Sequence, residues 1–144
     1  MFGGKAQLEV VLLDPLMDNQ RHILLLEDEP LLREMLALTL IRHGYKVLTA
    51  GSLEDAETVL SILGWAWAHL VITDANLNRH PEVLHGYLFH ARWEARFPVP
   101  PFIFMHGHNR IPTMPWAENC RICHVIKPFE TSGLMILIRS LIGR

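Results

Sequence analysis

The chain has 144 residues, half of them apolar, a formal net charge of −2 and nine histidines. That length and composition suit one globular domain with a core that needs no staple, and leave no room for a second, output domain. The slightly acidic balance argues against a nucleic-acid surface, which relies on clustered Lys and Arg, and turns attention to protein partners.

Residues 1–21 read as an extension and residues 22–144 as the domain. Within the extension, the run from Leu8 to Met17 is interrupted by Glu9 and Asp14 and follows no basic leader. It also falls short of the roughly 20 apolar residues that cross a bilayer. A cytoplasmic protein with no membrane segment is expected.

The first strand is Ile23-Leu24-Leu25-Leu26, ending on Glu27-Asp28. Pro30 then sits where a helix places its first residue, and Leu32, Met35, Leu36 and Leu40 follow at helical spacing until His43-Gly44. A short strand over residues 46–50 precedes Ser52 and Asp55, which resemble a capping box. Ala56, Val59, Leu60 and Leu63 form the apolar stripe of the helix that Gly64 stops. Leu70-Val71-Ile72-Thr73 is a third strand, ending on Asp74. After a loop over residues 76–81, Leu84, Tyr87, Leu88, Ala91 and Ala95 mark a helix closed by Pro98, Pro100 and Pro101.

Phe102-Ile103-Phe104-Met105 is the fourth strand, ending on His106. Gly107, Pro112 and Pro115 predict that any helix between it and the next strand is short or broken. The fifth strand, His124-Val125-Ile126, ends on Lys127-Pro128, a linkage where a cis bond costs only about 0.5 to 1 kcal/mol. Leu134, Leu137, Ile138 and Leu141 build the terminal helix. Met135, Ile136 and Ile142 make it apolar on more than one face, as for a core helix buried on two sides or an interface with another chain.

Strand and helix alternate five times, the pattern of an α/β protein with a parallel sheet. Right-handed crossovers then bring every strand's C-terminal end to one edge, where ligands of open α/β sheets bind. Glu27, Asp28, Asp74, His106 and Lys127 all fall there. Three carboxylates held together repel one another and must share a proton or recruit a cation. An all-oxygen cluster with room for water suits Mg²⁺. A metal-bound Asp is a nucleophile toward phosphorus, and Lys127 supplies a point charge for phosphoryl oxygens.

In Glu27-Asp28-Glu29-Pro30, the strand ending at Asp74, and Lys127-Pro128-Phe129, in that order and separation, the chain resembles the response-regulator receiver domains of two-component signalling. The resemblance covers residues 23–143. It implies a doubly wound, flavodoxin-like five-stranded parallel sheet of order 2-1-3-4-5 with helices on both faces. It implies Asp74 as phosphoacceptor, and Glu27, Asp28, Asp74 and the Asn76 carbonyl as Mg²⁺ ligands, with Lys127 contacting the phosphoryl group. The implied donor is a histidine kinase or histidine phosphotransfer protein. The output would be a contact with a downstream protein or a second copy of the chain, and the domain would not be an enzyme.

Two positions depart from the family. The Ser or Thr expected at the end of the fourth strand is His106, and the switch aromatic three residues before the lysine is His124. An imidazole N–H can donate to a phosphoryl oxygen; alternatively His106 only fills space. A Leu77-Asn78 pair replaces the family's Met-Pro and is expected to loosen the turn. Asn76 and His108 hold the positions that tune phosphoryl lifetime in relatives. The chain thus reads as a stand-alone, phosphorylated receiver, or alternatively as a pseudo-receiver serving as an interaction or dimerisation module.

Competing motifs fit less well. Cys120-Arg121-Ile122-Cys123-His124 matches a c-type haem attachment pattern, but a haem there would displace a strand of the sheet. A zinc site from His106, His108, Cys120 and Cys123 fails on distance, since Cys123 lies about 13 Å down its strand from Lys127. Asp14 ends an apolar run like that of the phosphoacceptor strand, yet it lacks a preceding acidic pair. The extension is expected to pack on the domain or on a partner.

Overall fold

Five strands, β1 (His22–Leu26), β2 (Lys46–Ala50), β3 (Leu70–Asp74), β4 (Phe102–His106) and β5 (Ile122–Ile126), form one all-parallel sheet of order β2-β1-β3-β4-β5. The computed structural model describes residues 20–77, 84–107 and 121–143. The expected segments around His108, Pro112, Pro115 and Cys120, and almost all of the extension, lie outside them.

Side chains alternate across the sheet, so the apolar runs split into two cores. Leu24, Leu26, Val71, Phe102 and Phe104 face α2 (Leu53–Leu63) and α3 (His85–Glu94). Ile23, Leu25, Ile72, Ile103 and Met105 face α1 (Pro30–Arg42) and α4 (Thr131–Ile142). Each fully buried Leu or Ile contributes about 1.5–3 kcal/mol relative to exposure. Because β1, β3 and β4 are buried on both faces, an uninterrupted apolar run is what those positions require.

The helices start and stop where local chemistry directs. Pro30 opens α1, and Gly44, at φ 96°, turns the chain into β2. Ser52 Oγ accepts from the Asp55 N–H at 3.1 Å, capping α2. Gly64, also at φ 96°, ends α2, and a 3-10 turn at Trp65–Trp67, which the sequence pattern does not show, carries the chain to β3.

Two helical faces differ from the expected stripes. On α3 the buried residues are Gly86, Tyr87, Phe89, His90 and Trp93, while Leu88 and Ala91 face outward. The largest rings set the rotation, since Phe89 and Trp93 pack edge-on to one another and against Phe102. On α1, Leu36 and Leu40 are buried, but Met35 is exposed beside Leu31, Leu38 and Ile41. On α4, Leu134, Met135 and Ile138 are buried and Ile136 is exposed. Among the described residues, no helix is long and apolar enough to cross a membrane.

Candidate functional site

The C-terminal ends of β1, β3 and β5 bring the acidic cluster together. The Glu27 N–H donates to the Ala50 carbonyl at 3.1 Å, extending the β1–β2 ladder one residue past β1. Asp74 is the last residue of β3 and pairs with Met105 of β4. Past β5, the Lys127 N–H donates to the His106 carbonyl at 2.7 Å, and the Lys127–Pro128 bond that follows is cis. Backbone pairing, rather than side-chain contact, therefore sets where these groups stand.

Lys127 Nζ lies 2.7 Å from Glu27 Oε1 and 2.5 Å from Asp74 Oδ1, bridging two nearly buried carboxylates. The second Glu27 oxygen accepts from the Glu29 N–H at 3.2 Å. Asp28 is half-buried at the rim, and one carboxylate oxygen from each of Glu27, Asp28 and Asp74 falls within 4.8 Å of the others. Burial, and then hydrogen bonding to Glu27, pushes the Asp74 carboxyl up to about 8. Burial also opposes ionisation of Glu27, but hydrogen bonds from Asp74, Lys127 and the Glu29 N–H outweigh it and hold that carboxyl below its usual range. For Lys127 too, burial is outweighed, here by bonds to Asp74 and Glu27, and its ammonium is held protonated. One proton and one ammonium are thus what neutralise the facing pair near neutral pH without metal.

Glu27, Asp28 and Asp74 are the one metal-competent group of three among the described residues. Their donors are all carboxylate oxygens, with a rim open to water at Asp28. That set fits a hard divalent cation and offers nothing to a soft one. These three residues could therefore coordinate a divalent metal.

The two histidines form a separate cluster. His106 Nε2 is 2.9 Å from His124 Nδ1 and 3.4 Å from the Tyr87 hydroxyl, and the His124 ring stacks on Phe104 with centroids 5.6 Å apart. Among the described residues, the hydrogen-bond partners of the His106 ring are Tyr87 and His124, not Asp74 or Lys127. Burial and then the neighbouring His124 push His106 down to about 4, and burial lowers His124 as well. Both rings are neutral at pH 7.

Asn76 follows Asp74 in the turn after β3 and is half-buried. Leu77 is fully buried in the core; Asn78, the other residue of the turn expected to be loose, lies outside the described residues. His108 lies outside the described residues, as does Cys120. Cys123 pairs with Ile103, well below His106, and packs in the core facing α1 and α4. A convergent zinc site with His106 is not formed there.

Two contributors escape the sequence pattern. Arg33, one turn into α1, donates from Nη1 to the Glu27 carbonyl at 2.8 Å and fixes the backbone carrying the acidic pair. Gly86 opens α3 against the end of β3. Its N–H donates to the Ala75 carbonyl at 3.0 Å, and a Cβ there would fall on the Asp74 carbonyl oxygen, with Ala75 Cα at 3.2 Å. Only the folded chain brings either residue to the site.

Comparison with known proteins agrees with this architecture. The family model for the response regulator receiver domain matches residues 23–139. Response regulator protein FleR of Pseudomonas aeruginosa is 27% identical over 117 residues, which cover 81% of this chain and 23% of that protein, so the chain spans under a quarter of this relative. A receiver domain protein from Clostridium thermocellum superposes with TM-score 0.72 at 23% identity, covering 86% of this chain and 95% of that one. The non-phosphorylated HemR receiver domain from Leptospira biflexa gives TM-score 0.68 at 22% identity, covering 87% and 96%. At such identities the superpositions establish the fold, and the family match extends through all five strands and most of α4. The chain belongs to the response-regulator receiver-domain family, whose members are signalling modules rather than enzymes in the ordinary sense.

Proposed function

We propose that this chain is a cytoplasmic receiver, formed by residues 22–144 after an extension over residues 1–21, which takes a phosphoryl group on Asp74. The observation that carries this reading is the Lys127 ammonium bridging Glu27 and Asp74 beside Asp28 at the C-terminal edge of the sheet. In the transfer, an Asp74 carboxylate oxygen forms a bond to phosphorus while the bond to the donor's imidazole nitrogen breaks, and the imidazole leaves. Lys127 faces the phosphoryl oxygens. Glu27, Asp28, Asp74 and the Asn76 carbonyl would hold Mg²⁺, which when bound would supply charge to offset that of the transferring group. The donor is a histidine kinase or phosphotransfer protein, and the output is a changed contact with a downstream protein or a second copy of the chain.

His106 and His124 stand where the family's hydroxyl and switch aromatic would be. Their mutual hydrogen bond, with Tyr87 beside it, favours a second reading in which phosphorylation is weakly coupled to output, as in a pseudo-receiver. In the first reading, the His106 ring leaves His124 and donates to the phosphoryl group. Intact-mass spectrometry after incubation with Mg²⁺ and phosphoramidate tests the main proposal. One phosphoryl adduct is expected, dependent on Mg²⁺ and lost in Asp74→Asn. No adduct, under conditions that label an ordinary receiver, supports the pseudo-receiver instead. If His106 contacts the phosphoryl group, His106→Ala changes the adduct's lifetime; an unchanged lifetime leaves His106 a space-filling residue.

A further inference from the structure

At the opposite, N-terminal edge of the sheet lies a groove of about 520 Å³ that the phosphoryl site does not use. Its walls are apolar, from Trp65, Phe97, Val99 and Ile142, and its two ends carry Arg21 and Arg121. Phe97 stacks on Trp65 with centroids 5.3 Å apart yet keeps 42% of its surface exposed. Val99 holds Arg121 at the rim, its carbonyl accepting from Nη2 at 3.1 Å. An exposed aromatic stack between two guanidinium groups suits an apolar strand bearing carboxylates.

We infer that this groove is the docking site of the chain's own N-terminal segment. The chain enters the described structure beside the groove, since Arg21, the residue before β1, is among those that line it. The segment just before it, Leu12-Leu13-Asp14-Pro15-Leu16-Met17-Asp18, is apolar except for its carboxylates. Its spacing matches the groove. Arg21 precedes β1 and Arg121 precedes β5, which are three strand positions apart, about 14 Å at roughly 4.8 Å per strand. Asp18 and Asp14 are four residues apart, about 13 Å in an extended chain. Asp18 then meets Arg21, Asp14 meets Arg121, and Leu16, on the same face of an extended chain, lies on Trp65 and Phe97. Docked this way, the segment ties the starts of β1, β3, β4 and β5 to the end of α4.

The test places photoreactive benzoylphenylalanine at Leu16 in the full chain and maps the cross-links. The expected product is an intrachain link to residues 65–69 or 97–101. Arg121→Glu should cut its yield roughly threefold to tenfold, the range of one or two surface ion pairs, and adding Asp14→Arg should restore it. Four outcomes overturn the proposal: links to the exposed face of α1 at Leu31, Met35 and Leu38, links between copies, no preferred link, or a yield indifferent to Arg121→Glu in a folded variant. If the charge variants fail to fold, the cross-link position in the otherwise unaltered chain decides alone.

Discussion

His106 makes the acid sensitivity of this domain calculable. Its pKa falls to about 4 in the fold, against an ordinary value of 6.5, because its ring is buried against His124. The unfolded chain therefore binds a proton that the folded chain refuses between those two pH values. Stability is full above about pH 6.5 and is lost as pH falls toward 4. Linkage arithmetic from these two values gives a loss of about 2 kcal/mol between about pH 7.5 and about pH 5 for His106 alone. His106→Gln keeps a polar side chain next to Tyr87 and His124 but removes the titration. It should cost about 1 kcal/mol near pH 7.5 through weakened hydrogen bonding, and then lose about 2 kcal/mol less than the parent on acidification. Urea unfolding of the metal-free proteins at both pH values measures this. Asp74 and the other carboxylates titrate in both chains and cancel in the difference. Equal losses in parent and variant would refute a buried neutral His106.

Removing the bridging ammonium with Lys127→Met leaves Glu27 and Asp74 facing one another without their countercharge. The metal-free protein should lose about 2 kcal/mol, discounted from the usual buried-pair cost because Lys127 is partly exposed. Mg²⁺ should then stabilise the variant more than the parent, as read by urea melts with and without the ion; equal stabilisation would show that the ammonium does not neutralise the pair. Gly86→Ala, with its new methyl driven onto the Asp74 carbonyl, should cost about 2–3 kcal/mol. Gly133→Ala, in α4 with open space around the new methyl, should instead gain about 0.5–1 kcal/mol. Thermal melts separate the two, and a neutral Gly86→Ala would mean that α3 does not pack on the strand end as described.

The strands were readable because a sheet covered on both faces asks for continuous apolar runs, and Leu24 to Leu26 or Phe102 to Met105 have no other simple use. Their order and shared edge followed from alternation with helices. Glu27 with Asp28, Asp74 and Lys127 were readable for a related reason, since they are the first charged groups after such runs. What the chain concealed depends on contacts between distant residues. The rotation of α3 is set by Phe89 and Trp93 packing on Phe102, which outweighs a stripe drawn through Leu88 and Ala91. Arg33 and Gly86 reach the site through helix placement, and neither has a local motif. His106 and His124 stood out as departures, but their engagement with one another and with Tyr87 required the register that sets Phe104 opposite His124 and His106 opposite Ile126.

In the function proposed above, the phosphoryl group goes to Asp74 and to no other residue of the cluster. Borohydride reduction of the Mg²⁺-dependent adduct converts an aspartyl phosphate to homoserine, and peptide mapping then locates it. Homoserine at position 74 alone is the predicted result. Modification of Asp28, phosphate on His106 or His124, or an adduct that survives Asp74→Asn would contradict it.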